Sequence, residues 1–356
     1  MLSRAWMEVD LGALVRNATA LFRRAGVPLI PMIKADAYGL GAEQVAHALE
    51  HLSPLAYGVA TVEEGQELRD AGITRQIIIF TPLLSEEFEA AHLAQLTPTL
   101  GSAAQITAWE IFGSPYVLSV DTGMSRSGIA WREAASLTDS LTKSPPAAVY
   151  THFHSPQLDD GSMDEQLARF EGVLSQLPSR PPVIHTDSSA AIARHSRSTV
   201  DAVRPGIFMY GVGSGPTASL QPEPVVFLKG RIVEIRRVEP GDTVSYDATW
   251  TARRPTLIAT VPLGYADGYP RGASNTGSAV VRDRIVPVAG RVTMDMTMID
   301  VTDAGAEIGD VATFIGNPGA NGAAIDVASV AAKARISPYE LLTGLRNRIR
   351  RTYRGQ

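Results

Sequence analysis

The sequence predicts an α/β fold followed by a β domain: a closed (β/α)8 TIM barrel and then a mostly antiparallel β domain. Three observations carry this prediction. Eight short runs rich in apolar and β-branched residues recur within residues 28–211. Amphipathic segments with helical spacing separate most of them, which is typical of βαβ units. From residue 226 onward the pattern changes to alternating strands with turn signals, among them TVSYDATW at residues 243–250.

The eight runs carry few polar interruptions. This favours a closed barrel, because strands buried on both faces carry apolar residues in succession. An open doubly wound sheet is the alternative. Before the seventh run, Ser162 and Glu165 have the spacing of a capping box at the start of a helix. In chain order the runs span residues 28–34, 56–62, 76–81, 97–100, 115–121, 147–153, 182–187 and 203–211.

A segment rich in glycine and proline, residues 211–224, suits neither helix nor strand and predicts a domain boundary. We therefore expect a barrel over residues 10–220 and a C-terminal β domain over residues 221–356. The GVGSGP pattern in this segment opens no helix, so we interpret it as a linker and not as a dinucleotide loop. The end of the chain, residues 337–356, combines a short helix with a basic tail that we expect to be solvated.

Composition excludes several classes of function. The 32 Lys and Arg against 37 Asp and Glu give a net charge of −5, which disfavours a nucleic-acid partner. The absence of cysteine excludes disulfides and thiolate metal sites and fits the cytoplasm. No apolar run reaches the roughly 18 residues of a membrane span, and the N-terminus lacks a signal-peptide core. We expect a cytoplasmic protein with no membrane partner.

Polar residues follow the apolar runs at the points where each run ends. Lys34 ends the first run, Asp121 the fifth and His152 the sixth, while Asp187 follows the seventh and Arg204 lies in the eighth. The carboxyl ends of barrel strands carry the catalytic groups of such enzymes. The sequence therefore predicts an active site at this end of the barrel.

The loops after the seventh and eighth runs have the small residues of a phosphate site. Ser188, Ser189, Gly206 and Ile207 stand where backbone N–H groups bind anions in many barrels. A serine pair that caps the following helix and a glycine that relieves a bend are equally good interpretations of these residues alone.

Lys34 is the most informative residue. An apolar environment at a strand end lowers the pKa of a lysine and frees the amine for a Schiff base, although a strand-end lysine can also simply reach solvent. Together with a phosphate loop and Arg204 it predicts a pocket for pyridoxal 5'-phosphate.

A metal-dependent hydrolase is the competing interpretation. His152 and His154 form an HxH pair at a strand end, and His185 and Asp187 lie on the next strand. Barrel metal sites need further ligands, so we predict no metal.

The motifs around these residues resemble those of the bacterial alanine racemases over essentially the whole chain. PMIKADAYGLG resembles the cofactor-lysine signature, and DTGMSRSG resembles the second motif. The matching segments are Pro31–Gly41, Asp121–Gly128, Thr151–Phe153, Val203–Ile207, Val244–Tyr246, Gly264–Gly268 and Gly290–Asp295.

The resemblance implies a racemase that interconverts L- and D-alanine with pyridoxal 5'-phosphate and supplies D-alanine for cell-wall precursors. It implies two catalytic bases, Lys34 and Tyr246, with Lys34 also forming the Schiff base. The implied cofactor contacts are Tyr38, Ser189, Gly206, Ile207 and Tyr339 at the phosphate, His152 against the ring and Arg204 at the ring nitrogen. The implied substrate contacts are Arg126, Tyr265 and Met294.

The resemblance also implies a head-to-tail homodimer with shared active sites, in which Tyr246, Tyr265 and Met294 enter the partner's pocket. It places a strand over residues 1–9 in the β domain. The single-domain barrel proteins that carry pyridoxal phosphate without catalysis are a weaker match, because they lack the β domain.

The chain departs from the family pattern at four positions. Ser119 replaces a lysine that in many members braces the arginine of the second motif, so another anion or water must brace Arg126. Ser188 replaces an asparagine, Asp247 a glycine and His154 a small residue. Added polar groups keep a serine racemase, or a broad alanine and serine racemase, as the alternative function.

Overall fold

The computed structural model describes residues 3–194, 200–214, 218–316, 324–345 and 348–355. The strands are β1 (Ala5–Asp10), β2 (Tyr57–Val59), β3 (Ile77–Ile79), β4 (Thr97–Leu100), β5 (Val117–Asp121), β6 (Ile129–Ala130), β7 (Ala148–Tyr150), β8 (Val183–Ser188), β9 (Ala202–Arg204), β10 (Val226–Arg231), β11 (Glu234–Val238), β12 (Thr243–Val244), β13 (Trp250–Thr251), β14 (Thr256–Val261), β15 (Ser278–Val281), β16 (Arg284–Pro287), β17 (Thr297–Asp300), β18 (Val311–Ile315) and β19 (Arg350–Arg354). The helices are α1 (Leu11–Ala25), α2 (Lys34–Gly39), α3 (Ala42–Leu49), α4 (Val62–Asp70), α5 (Phe88–Leu93), α6 (Ala103–Glu110), α7 (Thr138–Lys143), α8 (Ser162–Leu174), α9 (Ser189–Arg194), α10 (Val327–Ala334) and α11 (Pro338–Gly344).

The predicted barrel is confirmed, and residues 28–33 close it. Parallel strands run in the order β2-β3-β4-β5-β7-β8-β9. The closing segment forms parallel bridges on both sides, from Leu29 to Val203 and from Met32 to Gly58. Its prolines, Pro28 and Pro31, have no N–H to donate, but their carbonyls accept from the N–H groups of Val203 at 3.0 Å and Gly58 at 2.9 Å.

Two local predictions on the barrel were wrong. The eighth run ends as a strand at Arg204, because Pro205 follows and the chain then turns, with the N–H of Met209 donating to the carbonyl of Gly206. Ser162 caps no helix. It is the first residue of α8, which the chain enters through Gly161 at φ 79° without a side-chain cap.

The second part of the molecule is mostly antiparallel, as predicted. A six-stranded sheet has the order β16-β15-β18-β10-β1-β19, and a three-stranded sheet has the order β11-β14-β17. The basic tail is ordered as a strand: β19 pairs in parallel with β1, and Arg354 Nε donates to Asp10 at 3.0 Å, while Arg350 and Arg354 are exposed to solvent. The domain division at residue 220 stays a prediction, and residues 215–217 of the linker lie outside the described residues.

A left-handed turn follows Lys34. Ala35, Asp36, Ala37 and Tyr38 have φ between 52° and 58°, and each non-glycine residue in this region costs about 1–2 kcal/mol. Tertiary packing compensates this cost, since the buried ring of Tyr38 lies 4.6 Å from that of Tyr210. The turn thereby holds Lys34 and Tyr38 at the same end of the barrel.

In the described part of the chain, no helix combines the length and the apolar character that a membrane crossing requires. A cytoplasmic location stays a prediction.

Candidate active site

A cavity of about 1090 Å³ lies at the carboxyl end of the barrel strands. The loops after strands β5, β7, β8 and β9 and the segment after residue 33 surround it. Nine of the predicted site residues line it, namely Lys34, Tyr38, Arg126, His152, Ser189, Arg204, Gly206, Ile207 and Tyr339. Three predicted site residues do not: Tyr246, Tyr265 and Met294.

Lys34 lies at the start of the left-handed turn with its side chain partly buried. Burial and the charge of Arg126 lower the pKa of Lys34, while the carboxylate of Glu64 opposes this shift. The neutral amine, which is the nucleophilic form, is therefore more accessible than in an exposed lysine.

The small residues after β8 and β9 form a cradle of neutral hydrogen-bond donors. The N–H of Gly206 donates to Oγ of Ser189 at 2.9 Å, which leaves the serine hydroxyl proton available to a ligand. A Cβ on Gly206 would lie 2.6 Å from the Tyr38 hydroxyl. Burial raises the pKa of Tyr38 and of Tyr339, so both phenols keep their protons. This donor set fits a phosphate group.

Arg204 is the central polar residue of the barrel interior, with 3% of its surface exposed. Its two terminal nitrogens donate to the carbonyls of Thr151, His185 and Thr186 at 2.7–3.0 Å. They also contact Nδ1 of His185 at 2.7 Å and Nδ1 of His152 at 3.2 Å. Burial lowers the pKa of Arg204 to about 10, which still keeps the guanidinium charged at neutral pH.

The two histidines beside Arg204 are neutral. Burial, with the charges of Arg204, Arg126 and Lys34, lowers the pKa of His152 to about 3. Burial and Arg204 hold the pKa of His185 well below its usual value. Each histidine uses Nδ1 to accept from Arg204, so a positive charge lies beside both rings and opposes the binding of a metal cation there. No group of three or more potential metal-ligating side chains occurs among the described residues.

Arg126 lies at the rim of the cavity with an exposed side chain. Within the described ranges it forms no ion pair with a carboxylate. Ser119, at the position of the usual family lysine, is buried, and its Oγ lies 2.7 Å from where a Cβ on Gly128 would stand. That another anion or a water molecule braces Arg126 stays a prediction.

The other three predicted residues share an exposed surface of the β part. Tyr246, Tyr265 and Met294 are 69%, 39% and 52% exposed. Tyr265 is tied to the Met294 segment, because its N–H donates to the carbonyl of Thr293 at 3.0 Å. We call Tyr246, Tyr265 and Met294 the tyrosine surface.

Tyr246 does not continue a strand as the alternating pattern predicted. It begins a 3₁₀ turn between β12 and β13, and its neighbours Ser245 and Asp247 have φ of 68° and 62°. Asp247, where the family has glycine, forms an ion pair with Nε of Arg291 at 2.6 Å. Oγ of Ser245 donates to the carbonyl of Arg291 at 2.7 Å, so the turn is fixed from both sides of Tyr246.

Sequence reasoning missed two aromatic residues of the site. The Tyr150 ring stacks on that of His185 at 5.3 Å, and Arg204 lies 4.9 Å from the Tyr150 ring. The hydroxyl of Tyr210 donates to the carbonyl of Met32 at 2.8 Å and so supports the segment before Lys34. Both tyrosines lie inside apolar runs, where a core role is the default interpretation.

These features define a class of protein, the barrel enzymes that use pyridoxal 5'-phosphate. They are a closed parallel barrel, a lysine of lowered pKa, a cradle of neutral donors that fits a phosphate, and a buried arginine. Comparisons with known proteins identify the family. The alanine racemase N-terminal domain matches residues 9–214, and the alanine racemase C-terminal domain matches residues 225–353. This chain belongs to the alanine racemase family and is an amino-acid racemase.

Relatives and solved structures agree along the whole chain. The alanine racemase of Halothermothrix orenii is 36% identical, covering 99% of this chain and 97% of the relative, and that of Sorangium cellulosum is 37% identical, covering 98% of each. The crystal structure of Bartonella henselae alanine racemase with covalently bound pyridoxal phosphate has a TM-score of 0.90 at 29% identity, covering 99% of this chain and 100% of that one. The Bacillus anthracis alanine racemase with bound L-Ala-P has a TM-score of 0.90 at 30% identity, covering 100% and 97%.

Proposed function

We propose that this protein interconverts L- and D-alanine with Lys34 and Tyr246 as its two bases and supplies D-alanine for cell-wall precursors. The observation that carries the proposal is the partly buried amine of Lys34, which lines the same cavity as the phosphate cradle and has a lowered pKa. Pyridoxal 5'-phosphate, when bound, supplies the electron sink that makes the α-proton of an amino acid acidic.

Racemisation requires proton transfer on both faces of the α-carbon. Nζ of Lys34 takes or returns the proton on one face. The hydroxyl of Tyr246 acts on the other face, and because it lies outside this cavity it must come from a second copy of the chain. Positioned general acids and bases of this kind contribute about 100- to 10,000-fold to a rate.

The remaining cavity residues bind and orient. Tyr38, Ser189 and Tyr339 donate to the phosphate together with the N–H of Ile207, and the N–H of Gly206 joins them when it turns from Oγ of Ser189 to the ligand. Arg204 donates to the ring nitrogen, and since an arginine keeps its own proton, it leaves that nitrogen unprotonated. His152 packs against the ring, and Arg126 binds the substrate carboxylate.

The tyrosine surface supports a head-to-tail dimer. Aromatic residues and methionine are enriched in protein interfaces, and exposed large apolar side chains that lie together mark interaction sites. In such a dimer Tyr246, Tyr265 and the N–H of Met294 complete the partner's cavity.

The test is a subunit-mixing experiment. Lys34→Ala and Tyr246→Phe should each be inactive alone. If the sites are shared, a mixed dimer contains one intact site and one doubly altered site, so equal mixing should restore about a quarter of the wild-type activity. Mixtures with no restored activity would refute the shared site. Chiral chromatography of L- and D-alanine measures the turnover, and growth of a D-alanine auxotroph tests the cell-wall role.

A serine or broad alanine and serine racemase is the second candidate. Ser188 and His154, which differ from the usual family residues, both line the cavity. A buried serine hydroxyl needs such partners. Equal or greater kcat/KM for L-serine than for L-alanine would favour this candidate.

A further inference from the structure

The carboxylate of Glu64 connects the segment after Lys34 to the segment after β2, next to the point where residues 28–33 close the barrel. Oε1 of Glu64 accepts the N–H of Ala35 at 2.7 Å, and Oε2 accepts the N–H of Ala60 at 2.7 Å. Ala35 directly follows Lys34, and Ala60 directly follows β2. Glu64 itself stands in the first turn of α4.

Ordinary helix capping explains only part of this arrangement. Thr61 is the N-cap of α4 and accepts the N–H of Glu64 at 3.3 Å. In a capping box the glutamate would return to the N–H of its own N-cap. Glu64 instead contacts Ala60 and the segment that carries Lys34, so one of its oxygens serves a different element.

The segment that Glu64 holds is the strained one. Ala35 has φ 53° and begins the left-handed turn, a conformation that persists only where the surroundings fix it. Just before it the chain is fixed by backbone hydrogen bonds, since the N–H of Ile33 donates to the carbonyl of Gly58 at 2.9 Å. Glu64 extends this anchoring past Lys34. A bond from a charged acceptor to the first N–H after Lys34 is therefore a strong constraint on where the lysine backbone lies.

We propose that Glu64 is a positioning residue that fixes Lys34 for covalent attachment of the cofactor by clamping the N–H groups of Ala35 and Ala60. The inference rests on the proposed role of Lys34. It also predicts an electrostatic effect, because the Glu64 charge raises the pKa of the Lys34 amine against the effect of burial.

The test separates the geometry of Glu64 from its charge. Glu64→Asp keeps the charge but is too short to reach both N–H groups. Glu64→Gln keeps the length but loses the charge and one of the two acceptor oxygens. Thr61→Ala weakens the cap of the same helix without touching Ala35, and Glu67→Gln removes an exposed charge from that helix. Two readouts are measured on the full chain: the Kd for pyridoxal 5'-phosphate, and the pH profile of Lys34 reductive methylation in the cofactor-free protein, read by peptide mass spectrometry.

We expect Kd to rise about tenfold or more in both Glu64 variants, since a lost charge-assisted hydrogen bond costs at least this factor. The methylation profile should move to lower pH in Glu64→Gln only. Both controls should keep the wild-type Kd and profile, although Thr61→Ala should lower Tm.

Kd values within twofold of wild type in both Glu64 variants, or an equal rise in Thr61→Ala, would overturn the inference. If Glu64→Gln does not fold, Glu64→Asp alone decides the geometric claim. The proposed role of Lys34 is tested separately, by borohydride reduction of the wild-type holoenzyme. If that role is wrong, the Lys34 peptide carries no pyridoxyl group after reduction, whatever the Glu64 variants do.

Discussion

Acidification from pH 7 to pH 5 should destabilise the folded protein through His152 and His185. Both accept hydrogen bonds from Arg204, and burial beside this charge lowers the pKa of His152 to about 3 and holds the pKa of His185 well below its usual value. In the unfolded chain a histidine titrates near its ordinary value of about 6.5. The unfolded state therefore binds more protons as the pH falls, and the folding stability that is present above about pH 6.5 is lost below it.

The size of the effect follows from this difference. At pH 5 the unfolded histidine is about 1.5 units below its pKa, while the folded histidine remains neutral. At 1.36 kcal/mol per unit this costs about 2 kcal/mol for His152, and His185 adds a loss of the same sign. Such a loss is a large part of the roughly 5–15 kcal/mol by which most proteins are stable.

Urea denaturation at pH 7, 6 and 5, followed by tryptophan fluorescence, measures the effect. His185→Asn keeps an oxygen that accepts from Arg204 but does not titrate, so its loss of stability between pH 7 and pH 5 should be smaller than that of wild type. His51→Asn, at an exposed position, should follow the wild-type curve. Equal pH dependence in His185→Asn and wild type would show that His185 is not held neutral by burial beside Arg204.

Two further predictions concern the cavity and the tyrosine surface. Tyr246→Phe should lower racemisation in both directions by about 100- to 10,000-fold and leave the cofactor affinity unchanged. Chiral chromatography measures the activity, and cofactor titration measures the affinity. Full retained activity would remove Tyr246 from the mechanism. Gly206→Ala should weaken cofactor binding at least tenfold, because the new Cβ would displace the Tyr38 hydroxyl. The control is Gly172→Ala, which lies in α8 with open space around it and should raise the folding stability by about 0.5–1 kcal/mol. An unchanged Kd in Gly206→Ala would contradict the cradle.

The barrel was predictable because its strands are buried on both faces, which leaves a continuous apolar pattern in the sequence. Lys34, His152 and Arg204 stood out against this pattern, since Lys34 and His152 are polar residues at the ends of apolar runs and Arg204 is a charged residue within one. Their convergence on one cavity follows from the parallel strand order, in which all carboxyl ends meet at one end of the barrel.

The remaining features depend on contacts between distant residues. Residues 35–38 include no glycine, and local preference disfavours the left-handed turn that packing against Tyr210 imposes on them. The basic tail has the composition of a solvated end and forms a strand only because β1 is its partner. Tyr246 lies in an alternating pattern, yet positive φ values at Ser245 and Asp247 turn the chain out of the sheet.

The place of β1 in the second sheet has a consequence for synthesis on the ribosome. Its neighbours are β10 and β19, so β1 pairs with Val226–Arg231 and with Arg350–Arg354, both of which are translated after the barrel. At roughly 5–20 residues per second, β1 waits on the order of 10–40 s before β10 is available. The barrel is translated in that interval. We therefore expect β1 to stay unpaired until β10 has emerged, and the second sheet to be completed only when β19 is also available.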